Sequence, residues 1–399
     1  MNFIFISPHF PENYWKFCES LRINGINVLG IGDQPYDSLS YECKHALQEY
    51  YFVADMNDYE QMFQAVAFFS YKYGKIDWLE SNNEYWMRMD ARLRTDFHIT
   101  SGYQENEVEM VKSKALMKQG YRKAHIPVAA LIEVTSFDQV LAFTKVYGFP
   151  CIAKPREGVG AQKTYKFEHQ GDVEAFFKES NDPSQFVVEQ FIEGSIVSYD
   201  GIVDTNGKVI LEASHVFPTG IMEIVHRQDH LAYYSERNIP SDLRKAGKAV
   251  LKAFKAKGRW FHLEFFRLAR DHQGIGKQGD LAGLEVNMRV PGGYSADMID
   301  YAFEIDAYQI WADMISDPNT KRLMKPAPYH CVYASRKFHK SYVHDIDDIL
   351  KTYEQNLVMH EILPKVWRDA MGDEMLIARF ESMEQVRDFI SYVQKEETL

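Results

Sequence analysis

The sequence has few of the features that mark membrane, secreted and nucleic-acid-binding proteins. No run of about 20 apolar residues is present, the length that a membrane-spanning helix requires. The opening residues, MNFIFISPHF, lack the basic start and the long apolar stretch of a secretory signal. The formal net charge is −12, which disfavours a polyanionic partner such as nucleic acid. We therefore expect a cytoplasmic protein with neither a nucleic acid nor a membrane as partner.

Cysteine is also scarce. The four cysteines are far apart in the chain and show no CxxC spacing: Cys18, Cys43, Cys151 and Cys331. This pattern indicates neither a zinc site nor a disulfide framework. His226 and His230 are four residues apart, but no glutamate adjoins His226 as it would in an H-E-x-x-H motif, so we do not expect zinc there either.

Residues 1–104 alternate short apolar strands with amphipathic helices. The strands are predicted in NFIFIS, NVLGIG, YYFVAD and IDWLES. That alternation is typical of a parallel α/β domain of Rossmann-like shape. The dinucleotide fingerprint G-x-G-x-x-G is missing after the first strand, where SPHFPEN stands instead, so the shape implies no dinucleotide cofactor.

The pattern changes at about residue 105. Residues 105–325 are rich in strands with intervening helices, which predicts an α+β layout, and residues 326–399 form a last small unit of strands and helices. A chain of 399 residues is long enough for two or three domains with a core each.

Two predicted strands carry polar side chains on one face. In LAGLEVNMRVPGG, Glu285, Asn287 and Arg289 alternate with apolar residues, and in WFHLEFFRL, His262 and Glu264 share a face. Carboxylate and amide oxygens are suitable ligands for Mg²⁺, which also keeps contacts to substrate phosphates. The alternative is an acidic strand face that is simply exposed to solvent.

Two further segments have the residue types of a nucleotide site. In CIAKPREGVGAQKT, Lys154 ends an apolar strand and Gly158 and Gly160 follow, so that a cation and close backbone N–H groups could hold phosphate. The spacing is not that of a Walker A loop, and a hairpin with turn glycines is the alternative. The segment FVVEQFIEG is predicted to run as a strand into Gly194 and to present its backbone to a purine edge; an ordinary edge strand is the alternative.

The order of these segments is more informative than any one of them. Lys114, Lys154, the glycine loop, VEQFIEG, SYDGIVD, FHLEFF and EVNMRVPGG follow one another along the chain. In this order the chain resembles the ATP-grasp superfamily, specifically its carboxylate–amine ligases, and is most similar to the L-amino-acid ligases. The resemblance covers about residues 105–316. It implies an N-terminal Rossmann-like domain (1–104), an ATP-grasp core of two α+β subdomains (105–325, lid about 125–195) and a small C-terminal α/β unit (326–399).

The resemblance also implies roles for individual residues. Lys114 and Lys154 would hold the phosphates of ATP together with the glycine loop, and Mg²⁺, with Mn²⁺ as an alternative ion, would be bound by Glu264, Glu285 and Asn287. The hinge that holds adenine would be formed by Glu189, Gln190, Phe191 and Ile192. Arg289 would stabilise the acyl phosphate or the substrate carboxylate, followed by a turn at Gly292 and Gly293.

Three positions depart from the family pattern. Ser113 stands where an aspartate usually precedes the first lysine, and the glycine loop lacks its usual serine. Ile196 stands where the family often has an acid that holds ribose, so we expect Glu193 or Asp200 to take that role.

The reaction that the resemblance implies joins a carboxylate to an amine through an acyl phosphate, with an amino acid as one substrate. The resemblance also makes a homodimer the expected oligomeric state. Arg227 is a candidate for receiving a substrate carboxylate, or is an ordinary surface arginine. The alternatives are an acceptor of the carbamoyl-phosphate or biotin-carboxylase type, a phosphotransferase, and an ATP-binding protein without catalysis.

Overall fold

The computed structural model describes residues 1–156, 164–317 and 325–397. Within these ranges the strands of three sheets and the helices that cover them follow the expected α/β and α+β division. Four short 3₁₀ turns connect elements at Tyr36–Ser38, Glu109–Val111, Pro183–Gln185 and Lys365–Trp367. No helix in the described part of the chain is long and apolar enough to cross a membrane.

The N-terminal region is the predicted parallel α/β domain. Its strands are β1 (Asn2–Ile6), β2 (Asn27–Gly32), β3 (Glu49–Phe52) and β4 (Trp78–Glu80), and its helices are α1 (Trp15–Ile23), α2 (Tyr41–Ala46), α3 (Tyr59–Tyr73) and α4 (Met87–Asp96). The strand order is β3-β2-β1-β4 and every pairing is parallel. Phe3, Ile4, Phe5 and Ile6 are all fully buried, because helices cover both faces of this sheet.

A short connection leads to a second, antiparallel sheet. The connection comprises α5 (Glu105–Val108) and α6 (Lys114–Lys123), and α6 begins after Ser113, whose side chain accepts a hydrogen bond from the Leu116 N–H. The sheet has the order β5-β8-β6-β7. Its elements are β5 (Leu131–Glu133), α7 (Phe137–Tyr147), β6 (Cys151–Pro155), β7 (Tyr165–Phe167), α8 (Gln170–Glu179) and β8 (Phe186–Gln190).

The third sheet is the largest and runs through the rest of the chain. Its strands are β9 (Gly194–Val203), β10 (Val209–Ala213), β11 (His215–Phe217), β12 (Ala232–Ser235), β13 (Arg259–Leu268), β14 (Leu281–Asn287), β15 (His330–Arg336), β16 (Leu357–Ile362) and β17 (Glu374–Phe380). Their order is β14-β13-β9-β11-β12-β15-β17-β16, with β10 paired to β9. The helices of this part are α9 (Ile221–Arg227), α10 (Ser241–Ala253), α11 (Ser295–Phe303), α12 (Ala307–Ser316), α13 (Ile346–Thr352), α14 (Arg368–Met371) and α15 (Met383–Val393).

The C-terminal strands belong to this same sheet. β15 pairs with β12, which precedes the predicted boundary at residue 326, so backbone hydrogen bonds cross that boundary. The strands β15, β17 and β16 therefore extend the central sheet, and the domain limits given above stay a prediction.

One predicted strand is shorter than expected. FVVEQFIEG does not run continuously into Gly194, because β8 ends at Gln190 and β9 begins at Gly194. The backbone between them leaves the ladder, and the Glu193 carbonyl accepts a hydrogen bond from the Ala269 N–H instead.

A shared apolar core fixes the N-terminal domain against the central sheet. Phe17 of α1 lies 5.1 Å from Trp311 of α12 and 6.4 Å from Trp260 of β13, measured between ring centroids. All three side chains are almost fully buried. This packing brings the loop after β4 to the end of β14, where the candidate site lies.

Candidate functional site

The two acidic strands predicted to bind metal are direct neighbours. β13 and β14 pair antiparallel, with Glu264 opposite Glu285 and His262 opposite Asn287. Directly opposed residues in such a pair have Cβ atoms about 4.5–5.5 Å apart, so the two carboxylates share one small region. Burial raises the pKa of Glu285, and the neighbouring charge of Glu264 raises it further. Two acids that oppose each other in this way are a suitable pair of oxygen ligands for a divalent cation.

The two predicted phosphate-binding lysines lie beside these acids. Lys114, the first residue of α6, places its Nζ 4.0 Å from a carboxylate oxygen of Glu285. Burial lowers the pKa of the Lys114 ammonium, while the charge of Glu285 opposes that effect. Lys154 on β6 lies 3.0 Å from Glu189; burial disfavours its charged form, yet Glu189 and then Glu285 outweigh burial and raise its pKa. The site thus combines cations and carboxylates from five elements, α6, β6, β8, β13 and β14.

A third lysine at this site is absent from the sequence-based prediction. Lys118 follows Lys114 by one turn of α6, and its Nζ lies 3.5 Å from Glu189 with only 3 % of the side chain exposed. Burial lowers the pKa of Lys118 to about 8, against the opposing effect of Glu189. The spacing of four residues on one helix was the signal that could have identified it, since such residues share a helix face.

The four residues of the predicted adenine hinge have different surroundings. The Oε2 atom of Glu189 is paired with Lys154 and Lys118, whereas its Oε1 atom is buried and has no hydrogen-bond partner in the described part of the chain. Ile192 is buried in a small apolar cluster, and Phe191 lies under the ammonium of Lys166 at 5.0 Å from the ring centroid. Gln190 ends β8, where its N–H donates to the Ala130 carbonyl.

Of the two acids considered for ribose, Asp200 has other partners. Its carboxylate is fully buried and accepts hydrogen bonds from Ser198, His215 and His262 at 2.5–2.7 Å. Burial alone would raise the pKa of Asp200, but the charges of His262 and His215 hold it well below its usual range. The geometry therefore does not support a ribose contact by Asp200. Glu193 is more accessible, with its side chain 55 % exposed and paired to Arg270 at 3.0 Å.

Arg289 is held by a residue of the N-terminal domain. It lies two positions beyond the end of β14, and its guanidinium contacts Glu84 at 3.0 Å and the Asn287 side-chain oxygen at 3.4 Å. Glu84 also meets Lys112 at 3.3 Å. Burial would raise the pKa of Glu84, but Arg289 and Lys112 outweigh it and lower that pKa. Nothing in the sequence around Glu84 pointed to this contact.

The predicted substrate residues lie in two different places. Gly292 and Gly293 follow Arg289 directly; Gly293 has φ +61°, and a Cβ there would come within 2.7 Å of Met371. Arg227 ends α9 on the surface, 68 % exposed and paired to Glu223 at 2.6 Å. The structure thus brings the two glycines to the site and gives Arg227 the surroundings of a surface arginine.

The glycine loop and the side chain of one member of the histidine pair are not described by the structure. The side chain of His226 and residues 157–163, which include Gly158 and Gly160, lie outside the described residues. His230 lies near the carboxylates of Asp229 and Glu396. Lys340 contacts both carboxylates at 2.7 and 2.6 Å and supplies the positive charge there.

Comparison with known proteins shows which family the segment from α6 to α10 resembles. Residues 113–253 match the family model of an ATP-grasp domain. The chain contains an ATP-grasp domain. An L-arginine-specific L-amino acid ligase of Bacillus subtilis is 24 % identical over 332 residues, covering 80 % of this chain and 76 % of that protein.

Solved structures agree with this assignment of the ATP-grasp fold. An L-amino acid ligase from Bacillus licheniformis superposes with a TM-score of 0.71 at 15 % identity, covering 98 % of this chain and 95 % of that one. The biotin carboxylase domain of a Hydrogenobacter thermophilus 2-oxoglutarate carboxylase was solved with MgADP and bicarbonate. It superposes with a TM-score of 0.69 at 14 % identity, covering 99 % of this chain and 90 % of that one. The predicted resemblance to the ATP-grasp superfamily, and within it to the L-amino-acid ligases, is confirmed.

Proposed function

We propose that this protein is an ATP- and Mg²⁺-dependent ligase that joins a carboxylate to an amine through an acyl phosphate, with an amino acid as one substrate. The main observation in support of this function is the direct pairing of Glu264 with Glu285 beside Asn287. The ammonium groups of Lys114 and Lys154 flank this acidic pair. A divalent cation would relieve the repulsion within the acidic pair, so these donors fit Mg²⁺. The similarity to L-amino acid ligases supports the amino-acid substrate.

The proposed chemistry needs charge neutralisation more than reactive side chains. A carboxylate oxygen of the substrate attacks the γ-phosphorus of ATP and ADP departs; the amine nitrogen then attacks the carbonyl carbon, phosphate leaves and the nitrogen loses a proton. Glu264, Glu285 and Asn287 would hold Mg²⁺, which would supply positive charge to offset that of the phosphates. Lys114 and Lys154 would hold the phosphates in line for the transfer. Arg289, fixed by Glu84, would stabilise charge on the acyl phosphate.

The proposal includes the predicted contacts to ribose and to the phosphates. Glu193, at the end of the hinge, is the remaining candidate for the ribose contact, and the glycine loop would cover the phosphates. A homodimer and a cytoplasmic location also stay predictions.

One alternative has an observation in its favour. The superposition on a biotin carboxylase domain, solved with bicarbonate, is nearly as good as that on the amino acid ligase, so bicarbonate-derived acceptors form the second candidate. The sequence match to an amino acid ligase over 80 % of the chain favours the first.

Phosphate release tests the proposal. The protein is incubated with ATP, MgCl₂ and each pair of amino acids, and separately with bicarbonate, and products are identified by mass spectrometry. We expect release that requires two particular amino acids, yields an amide and is lost in Glu285→Gln. Glu304→Gln, which changes an exposed glutamate paired to Arg379, is the matched control and should keep the activity. Release stimulated by bicarbonate alone would replace the first candidate by the second.

A further inference from the structure

The face of the central sheet that carries the paired acids extends onto a third strand, β9. The register places Asp200 of β9 opposite His262 of β13, and His262 is in turn opposite Asn287 of β14. Glu264 and Glu285 form the neighbouring row, two residues further along β13. Because directly opposed residues of paired strands point to the same side, these side chains share one face of the sheet.

The two rows differ in their exposure to solvent. Asp200 is fully buried and His262 is 8 % exposed. The side chains of Glu264 and Glu285 are 19 % and 30 % exposed. The two glutamates are therefore the groups that can reach a ligand, whereas Asp200 acts through the side chains around it.

Asp200 holds the His262 ring at one of its nitrogens. Its Oδ1 accepts a hydrogen bond from His262 Nδ1 at 2.6 Å. Its Oδ2 accepts from the Ser198 hydroxyl at 2.5 Å and from His215 Nδ1 at 2.7 Å. Donors from three residues thus satisfy both oxygens of this buried carboxylate and fix its position. The His262 ring is attached to a group that is itself held from the other side.

The second nitrogen of the same ring faces a predicted metal ligand. His262 Nε2 lies 3.4 Å from Oε1 of Glu264. An ionised carboxylate only accepts hydrogen bonds, so a ring that lies between two carboxylates presents an N–H to each of them. The contact involves one oxygen of Glu264 and leaves the second for another partner. A continuous chain of contacts therefore runs from Asp200 through His262 to Glu264.

Glu264 needs such a contact because of what lies opposite. Glu285 is its direct cross-strand neighbour, and two like charges in that position repel each other. A cation on the far side of Glu264 opposes this repulsion and keeps the carboxylate from turning away. Groups that contact a metal ligand from behind set its orientation, and their replacement typically costs about 10–100-fold in metal affinity.

We propose that His262 is a positioning residue that holds Glu264 in the orientation for binding a divalent cation, and that Asp200 fixes the His262 ring from behind. This inference rests on the proposed function, since it requires Glu264 to be a ligand of the cation. It gives Asp200 a role in place of the predicted ribose contact. Neither His262 nor Asp200 touches the reacting atoms.

Two substitutions of His262 separate positioning of Glu264 from support of the sheet. His262→Asn places its amide near the position of Nδ1, so it keeps the donor to Asp200 and loses the donor to Glu264. His262→Gln reaches the position of Nε2, so it keeps the donor to Glu264 and loses the donor to Asp200. Asparagine would thus replace a histidine that only supports the sheet, whereas glutamine would replace one that positions Glu264.

Binding of Mn²⁺ to the full chain provides the measurement. The free ion is followed by electron paramagnetic resonance in the presence of a non-hydrolysable ATP analogue. We expect the Kd for Mn²⁺ to rise at least about tenfold in His262→Asn and to change less than about threefold in His262→Gln. Urea denaturation should give the opposite order, with the lower midpoint in His262→Gln, because the buried Asp200 loses a donor there.

A histidine far from the site provides the control. His330 on β15 donates its Nδ1–H to the Ser235 carbonyl at 3.0 Å, so His330→Asn should keep the wild-type Kd for Mn²⁺. If His262→Gln does not fold, the comparison of His262→Asn with this control decides.

The outcomes separate this inference from the proposed function. If the wild type binds Mn²⁺ and His262→Asn binds it equally well, the positioning role is wrong and the proposed metal site stands. A loss in His262→Gln as large as that in His262→Asn also overturns the positioning role, since glutamine restores the contact to Glu264. If the wild type binds no Mn²⁺, the metal ligands of the proposed function are wrong and the positioning role fails with them.

Discussion

Arg289 and Glu84 are 205 positions apart in the sequence, yet their side chains meet at 3.0 Å. The contact joins the end of the acidic strand pair β13–β14 to the loop after the last strand of the N-terminal domain. Because Glu84 also holds Lys112, one carboxylate fixes two cations at the junction of two domains. The arginine proposed to act in catalysis is therefore positioned by the N-terminal domain. None of the residues predicted to bind metal or phosphate lies in that domain.

Replacing Glu84 should affect both stability and activity. In Glu84→Gln we expect the free energy of unfolding to fall by about 1–3 kcal/mol, since two buried cations lose their charged partner. Phosphate release should fall as well, because Arg289 is no longer held in place. Urea denaturation and the release assay measure the two effects. Glu109→Gln, which breaks an exposed pair with Arg88, should change stability by less than about 0.5 kcal/mol.

The acidic strand pair should make the free protein sensitive to Mg²⁺. At a concentration of about ten times its Kd, MgCl₂ should add about 1.4 kcal/mol to the free energy of unfolding of the wild type, because it binds only the folded state. Glu264→Gln removes the repulsion with Glu285, so we expect this variant to be at least as stable as the wild type without Mg²⁺. It should lose most of the gain from Mg²⁺. An equal gain in both proteins would argue against a metal site at this pair.

Lys118 predicts a particular dependence of stability on pH. Its folded pKa is about 8, below the usual 10.5 of a lysine, so between these values the unfolded state binds more protons than the folded state. The free energy of unfolding should therefore gain a contribution as pH rises from about 8 to about 10.5. In Lys118→Met this contribution should be absent, while affinity for ATP should fall. Urea titrations at pH 7.5 and 10 compare the two proteins.

A matched control exists for the lysine variant. Lys248 lies on the surface near Glu212 at 3.6 Å, so Lys248→Met should show the pH dependence of the wild type. If Lys118→Met keeps the same gain in stability on going from pH 7.5 to pH 10, the lowered pKa of Lys118 is not its cause.

The turn after Arg289 provides a test with adjacent glycines. Gly293→Ala should lower the free energy of unfolding by about 1–2 kcal/mol, because the backbone there has φ +61° and the new Cβ would meet Met371. Gly292→Ala meets no atom within 4 Å and has no left-handed backbone, so its effect on stability should stay below about 0.5 kcal/mol. Equal losses in the two variants would show that the left-handed conformation is not what requires glycine.

Part of this site follows from the sequence because it depends on local periodicity. A strand alternates its side chains, so Glu285 and Asn287 had to share a face, and the same holds for His262 and Glu264. The apolar strands of the N-terminal domain were likewise evident from their composition. The order of the motifs along the chain was sufficient to indicate the ATP-grasp superfamily.

Other features depended on which elements pack together. Asp200 looked available for ribose, but the neighbouring strands place His215 and His262 on its two oxygens. Lys118 lies at the candidate site because β8 carries Glu189 to the same face of α6. Glu84 lies there because an apolar core docks the first domain against the central sheet and α12. Local sequence fixes the face on which a side chain lies, because the backbone period is a property of each element. The partner across the interface is decided only when burial of apolar surface brings distant elements together.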